Sequence, residues 1–330
     1  MIDRRRLLAL GSCGAAMGAL PRLADAQIAR TAKPAAPDAG KGAHDLTGTW
    51  TNAWYTKLER PKKLKTLAVT AAEAEAYEKP RRALHGELLD RVHDELGQNE
   101  SEFPDNGPGL ARIRGEIRGS WITDPADGRI PWTDAAKKRL YINVDAPDVY
   151  DNVENRDTDE RCLTSSSATA PLVNTHDANV IEIVQTPDAV VLVGEKIHEA
   201  RIIHIARPGE PDPTAGALPG WTGVSVGRWE GATLVVETTR LRPGDTKLDD
   251  NLYLTEHARV VERFTRTGPH EIAYLFEVED PTLFKQVWRG EQLLRTAEGR
   301  MFEYACHEGN YSLPGILAGG QRMEREKAGK

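Results

Sequence analysis

From Val180 onward the chain is a succession of short strand-like runs separated by turn signals, and this limits its fold more than any other feature. The runs are Val180–Gln185, Ala189–Glu195, Ala200–Ile205, Gly223–Trp229, Thr233–Thr239, Ala258–Thr265, Glu271–Glu279, Phe284–Arg289 and Met301–Cys306. They are rich in β-branched and aromatic residues, and several alternate apolar with polar, the period of a strand with one buried face. Between them stand Thr186-Pro187-Asp188, Pro208-Gly209, Glu230-Gly231, Gly268-Pro269 and Asp280-Pro281. Proline and glycine at such points stop pairing and supply turn backbone. Trp229-Glu230-Gly231-Ala232-Thr233 reads as a hairpin. Repeated short strands with tight turns make an antiparallel sheet that meanders, hence a barrel or a sandwich. The expected class is mainly β, an antiparallel meander closing into a barrel, with an α-helical and irregular insertion ahead of it.

The N-terminus reads differently. Arg4, Arg5 and Arg6 precede an apolar, Gly/Ala-rich stretch from Leu7 to Leu20, and Ala24-Asp25-Ala26 offers a small-x-small cleavage site. Residues 1–26 therefore read as a signal peptide with Gln27 as the mature N-terminus. Asp3-Arg4-Arg5-Arg6-Leu7-Leu8 matches the twin-arginine export consensus. An ordinary Sec leader is the alternative, and a lipid-bearing Cys13 has too short an apolar stretch before it. The expected location is periplasmic or secreted. No other stretch approaches the ~20 apolar residues of a membrane span. Residues 27–43, rich in Ala, Pro, Lys and Gly, read as a flexible tether. A single β-rich domain is expected over 44–320, its insertion at about 70–175, with a disordered tail at 321–330.

Within the insertion, Thr70-Ala71-Ala72-Glu73 is a capping box that opens an Ala-rich helix. Pro80 is expected to divide 70–97 into two helical pieces, the second carrying an apolar stripe at Leu84, Leu88, Val92 and Leu96. Residues 98–175 read as irregular with short helices, one around Asp134–Leu140.

Net charge separates classes of partner. The whole chain carries −7, and the leader's four arginines and two aspartates leave the remainder at −9. An acidic chain without a basic run argues against nucleic acid or anionic lipid as a partner. The oligomeric state is not written in the sequence. Beyond the leader two cysteines remain, Cys162 and Cys306. In an oxidising compartment the simplest reading is one disulfide closing a long loop. Two buried thiols, or a two-cysteine metal site, are the alternatives; neither cysteine has a C-x-x-C or C-x-x-H spacing.

Two resemblances bear on the fold. Asp45-Leu46-Thr47-Gly48-Thr49-Trp50 resembles the G-x-W start of lipocalin-type barrels, which implies a Trp packed across one barrel end near a buried Arg. The chain over roughly 150–320 resembles a family of exported proteins of environmental Gram-negative bacteria to which no agreed reaction is attached. The matching stretches are Glu160-Arg161-Cys162-Leu163, Val184-Gln185-Thr186-Pro187-Asp188, Ile197-His198-Glu199-Ala200-Arg201-Ile202-Ile203 and Gly227-Arg228-Trp229-Glu230-Gly231. They continue with Thr233–Thr238, Val261-Glu262-Arg263-Phe264, Glu279-Asp280-Pro281 and Glu303-Tyr304-Ala305-Cys306-His307-Glu308-Gly309-Asn310-Tyr311. The chain departs from that pattern at Ala232 and His204. The resemblance implies export and a β-rich fold, and leaves the chemistry to the residues.

Ionisable residues on strands mark the candidate site. If Glu195–Arg201 is a regular strand, Glu195, Ile197, Glu199 and Arg201 share one face and Lys196, His198 and Ala200 the other. Several His, Glu and Arg inside a barrel would make a pocket, because unpaired buried charge is costly. The candidate residues are His198, Arg201, His257, Glu303 and His307. His198 or His307 would move a proton near neutral pH without a cofactor. Arg201 would hold a developing oxyanion. The competing reading is that the histidines cap strand ends while Arg and Glu pair structurally. Three His with a Glu could bind zinc, but no H-E-x-x-H or H-x-H spacing is present. Ser165-Ser166-Ser167 lies in no G-x-S-x-G elbow. No organic cofactor or metal is expected. Trp50, Trp54, Trp221, Trp229 and Trp288 read as core and barrel-end residues that could line an apolar pocket.

Two functions follow. One is an exported, cofactor-independent enzyme performing elimination, isomerisation or hydrolysis on a small, partly apolar molecule in the barrel. The other is a non-catalytic carrier or sensor of such a molecule.

Overall fold

In a computed structural model the described residues are 44–92, 107–139, 150, 152–156, 158–165, 167–175, 178–243, 246–249 and 252–329, with the side chains of 85–92, 155, 247 and 249 excepted. The expected leader and tether, the stripe beyond Leu84, Leu140 and Ser166 lie outside them. Along the chain come β1 (Gly48–Thr51), β2 (Ala68–Val69), α1 (Ala71–Val92), β3 (Arg112–Ile113), β4 (Glu116–Arg118), β5 (Ile122–Asp124) and α2 (Asp134–Arg139). Then follow β6 (Val180–Gln185), β7 (Ala189–Gly194), β8 (Ala200–Ile205), β9 (Val224–Glu230) and β10 (Thr233–Thr239). The last elements are β11 (Thr246–Asp249), β12 (Leu252–Leu254), β13 (Arg259–Gly268), β14 (Glu271–Glu279), β15 (Trp288–Thr296) and α3 (Ser312–Ala328).

The principal sheet runs β1-β6-β7-β8-β9-β10-β13-β14-β15, and β1 pairs with β15, so nine strands close into a barrel. Closure divides β15. Its end pairs with β1 through Trp50 opposite Thr296, and its beginning takes β5 through Asp124 opposite Arg289. A closed barrel leaves no unpaired edge. Alternation decides what lies inside. On β13, β14 and β15 the inward series are Val260, Glu262, Phe264; Ile272, Tyr274, Phe276, Val278; and Trp288, Gly290, Gln292, Leu294, all buried. Gly290 is required by packing: a Cβ there would meet the Phe276 ring at 2.1 Å, so the ring lies over the glycine of the neighbouring strand.

Both ends are occupied. At one, Trp50 is fully buried, and its indole donates to Leu46 O at 2.9 Å. The half-buried Arg266 sits 5.2 Å from that ring and donates to Asp45 O. A buried tryptophan thus stands at this barrel end beside an arginine that is half-buried rather than buried. At the other, the segment 164–175 carries fully buried Ala168, Thr169 and Leu172 and is held by three side chains. Glu199 takes its backbone, Tyr274 takes Leu172 N, and Trp121 donates to Asn174 Oδ1. We call it the plug.

The insertion differs from its reading in three ways. Thr70 and Glu73 cap α1 reciprocally as expected, with Thr70 N to Glu73 Oε2 at 2.8 Å and Glu73 N to Thr70 Oγ1 at 3.3 Å. Pro80, however, sits inside one continuous helix: it removes a single backbone donor, and the turns on either side stay helical. Leu84 is exposed, so the stripe does not begin as a core face. β2, β4 and β3 form a small sheet, its strands too short to carry a readable period. The short helix at Asp134 is present.

Three expectations within the barrel are corrected. The sheet is not a pure meander, because β8 and β9 pair in parallel, joined through 206–223. The run at Phe284–Arg289 is instead the approach to β15, which extends to Thr296. Met301–Cys306 is not a strand; that segment is coil and turn outside the barrel. The tail also differs, since α3 continues to Ala328 where disorder was expected over 321–330. Cys162 and Cys306 form a disulfide, with Cα atoms 6.0 Å apart, tying the chain entering the plug to the segment after β15. Among the described residues no helix is long and apolar enough to cross a membrane.

Candidate functional site

Entry into β8 sets the site. The residues before it, Lys196–His198, form a 3-10 turn in which Ile197 (φ 61°) and His198 (φ 52°) adopt left-handed backbone. The regular alternation expected across Glu195–Arg201 is therefore broken at Lys196, which is buried, and holds from His198 to Arg201. Glu199 and Arg201 are buried, and His198 is exposed. Glu199 accepts from Ser165 N at 3.1 Å, Ala168 N at 2.8 Å, Thr169 N at 2.9 Å and the Thr164 hydroxyl. Four donors on one carboxylate compensate its burial.

Arg201 reaches across the barrel. Its Nη1 donates to Glu262 Oε2 at 2.7 Å and its Nη2 to Glu262 Oε1 at 3.0 Å, a two-pronged pair from β8 to β13. The two side chains are 1% and 0% exposed, so no water screens them. Tyr274 on β14 donates its hydroxyl to Glu262 Oε1 at 2.8 Å and accepts from Leu172 N of the plug at 2.9 Å. Burial, and after it the Glu262 charge, hold the Tyr274 phenol well above the ordinary tyrosine range. It keeps its proton. Arginine, carboxylate and neutral phenol together carry no net charge.

One member is not satisfied. Gln292 lies opposite Tyr274 in the β14–β15 register, so both point into the barrel with Cβ atoms about 5 Å apart. Its carboxamide is fully buried, and neither Nε2 nor Oε1 has a hydrogen-bond partner among the described residues. Arg201 Nε is likewise unpartnered. A buried amide left unpaired costs about 1–3 kcal/mol.

Of the candidate residues, only Arg201 is inside the barrel. Its role changes: both terminal nitrogens are taken by Glu262, leaving only Nε for anything else. His198, His257, Glu303 and His307 are exposed. His257 stands 4.0 Å from its neighbour Glu256. Glu303 and His307 lie on the coil after β15, where Phe302 N donates to Glu195 and Asn310 donates to Glu160 O. The histidines are thus rim and surface residues: β8 and β13 begin two residues after His198 and His257, and the strand expected just before His307 does not exist. Among the described residues no three His, Cys, Asp or Glu side chains are grouped to hold a metal ion. Trp50 and Trp288 are fully buried, while Trp54 and Trp229 pack against the core from its margin. Glu262, Tyr274 and Gln292 are the functional candidates the sequence reading passed over. Glu262 was legible, sitting between Val260 and Phe264 on an apolar face. Gln292 was not, since it lay beyond the end of the expected run.

No protein-family model, curated protein or solved structure matches the chain.

Proposed function

We propose that this chain is an exported protein that carries or senses a small organic molecule held inside its barrel. The observation that supports it is the Gln292 carboxamide, wholly buried and unpaired among the described residues, beside a charge-neutral Arg201–Glu262–Tyr274 cluster. A polar group in that position is normally hydrogen-bonded, and a bound molecule would supply the bonds. Acid–base catalysis is less well supported, because the three histidines lie outside the barrel and Tyr274 holds its proton. The twin-arginine leader, the resemblance to an exported bacterial family and the Cys162–Cys306 disulfide all favour export.

The test is native mass spectrometry on protein exported with its own leader in a Gram-negative host. The expected spectrum shows chains beginning at Gln27, oxidised at Cys162 and Cys306, with an organic adduct that leaves on denaturation. An adduct-free chain that also retains no compound from an extract of its native periplasm would overturn the reading.

A further inference from the structure

We propose that the molecule held in the barrel is small, neutral and flat, and presents an amide-like edge — a lactam, an imide or a primary carboxamide — to Gln292. The inference rests on the binding reading above and adds to it the chemical class of the ligand.

Hydrogen-bond complementarity comes first. The Gln292 side chain offers a donor, Nε2, and an acceptor, Oε1, side by side, both unpartnered among the described residues. The group that satisfies both at once carries an acceptor and a donor in the same spacing, and another amide is that group. A ketone or ether would satisfy one half, a hydrocarbon neither. Arg201 Nε adds one more free donor on the same cluster, suited to a second carbonyl oxygen.

Charge narrows the class further. Arg201 is neutralised through two hydrogen bonds by Glu262, and Tyr274 stays protonated. A carboxylate or an ammonium would arrive without a counter-ion in a sealed interior, where desolvation dominates. A neutral amide brings the polarity without the charge.

The walls set the shape. The Phe276 ring lies 5.6 Å from that of Tyr274 and 5.6 Å from that of Trp288, and it covers Gly290. Leu172 of the plug closes the side on which its amide meets Tyr274. Aromatic and aliphatic faces around one polar edge favour a planar body.

Calorimetry and thermal melting on the exhaustively dialysed exported protein test this with four probes of similar size: 2-pyridone, benzamide, benzoate and toluene. The expected result is that 2-pyridone and benzamide bind and raise the melting temperature, while benzoate does not. Gln292→Leu should weaken both amides by at least about tenfold and leave toluene no worse bound. Gln292→Met serves the same comparison if the leucine variant does not fold. If toluene binds as tightly as benzamide, and Gln292→Leu or Gln292→Met changes neither, the amide class is wrong while the binding reading stands. If no probe binds and a crystal structure shows only ordered water on Gln292, both fall.

Discussion

Two consecutive residues on β15, Glu291 and Gln292, are both buried, and they face opposite ways. Gln292 points into the barrel opposite Tyr274. Glu291 points outward, opposite the exposed face of Leu275, under the insertion. The outer residue is met by two arginines, whose hydrogen bonds both fall on Oε2, while Oε1 has an ion-pair contact and no hydrogen bond among the described residues. Arg118 Nη2 lies 2.8 Å from its Oε2, and Arg114, on the two-residue β3–β4 turn, lies 2.7 Å from its Oε1. Arg114 keeps 71% of its side chain in water, and Arg118 also pairs with Glu116. The inner residue lies beside the Arg201–Glu262–Tyr274 cluster, whose members pair with one another. One face of the strand therefore staples the insertion to the barrel through charges that still touch water. The other face holds polar groups that must be satisfied from within. Burial alone does not mark a site: Glu291 keeps two arginine partners although its Oε1 lacks a hydrogen bond, whereas both polar atoms of Gln292 are without any partner among the described residues.

The comparison breaks or sharpens in four measurements. The largest effect is expected at Glu262. Glu262→Ala leaves Arg201 charged in a sealed interior and should lower stability by about 3–5 kcal/mol in urea unfolding followed by tryptophan fluorescence. The double replacement Arg201→Met with Glu262→Leu should recover most of that loss. If the single variant is as stable as the parent, the inner pair is not isolated from water.

Next comes the outer pair. Glu291→Ala should cost about 2 kcal/mol, less than the inner change because Glu116 still pairs with Arg118 and the freed Arg114 is already mostly in water. Added salt should shrink the Glu291 effect more than the Glu262 effect. Equal costs and equal salt dependence would erase the distinction between the two faces.

Tyr274→Phe removes two hydrogen bonds, one to Glu262 and one from Leu172 N of the plug, and should cost about 1–3 kcal/mol near neutral pH. Its pH signature has a definite sign. The folded phenol is held above the unfolded value near 10, so the folded state keeps a proton that the unfolded chain releases. Stability from this source is fully present below pH 10 and declines as pH rises beyond it. The parent should show this alkaline decline in melts from pH 9 to 11, and the phenylalanine variant should show less of it.

The smallest effects belong to the histidines. His198→Ala, His257→Ala and His307→Ala should each lie within about 0.5 kcal/mol of the parent and retain ligand equally. Loss of ligand or of a measured turnover in any one would move the site to the rim and restore the acid–base reading.

Much of the barrel was legible because strand formation is written locally. Val180–Gln185, Ala200–Ile205, Thr233–Thr239 and Glu271–Glu279 begin and end where their alternation and turn residues say. Gly231, with φ 59°, sits in the expected hairpin, and Thr70 with Glu73 caps the expected helix. The disulfide between Cys162 and Cys306 followed from there being two cysteines once the leader is set aside. The failures share a cause. Met301–Cys306 alternates like a strand but finds no strand to pair with, because β1 occupies that side of β15. The parallel joining of β8 to β9 depends on where the chain returns after 206–223, which no local pattern records.

The site divides along the same line. The sequence by itself determined which residues alternate inward, and so put Arg201 and Glu262 on buried faces of two strands. Tertiary structure alone decided that these two meet across the barrel, because β9 and β10 lie between their strands and closure brings them face to face. It alone buried Lys196, through a left-handed turn at Ile197 and His198, where alternation put it on the face opposite Arg201. It also left Gln292 unpaired, since a side chain's lack of a partner is a property of everything packed around it.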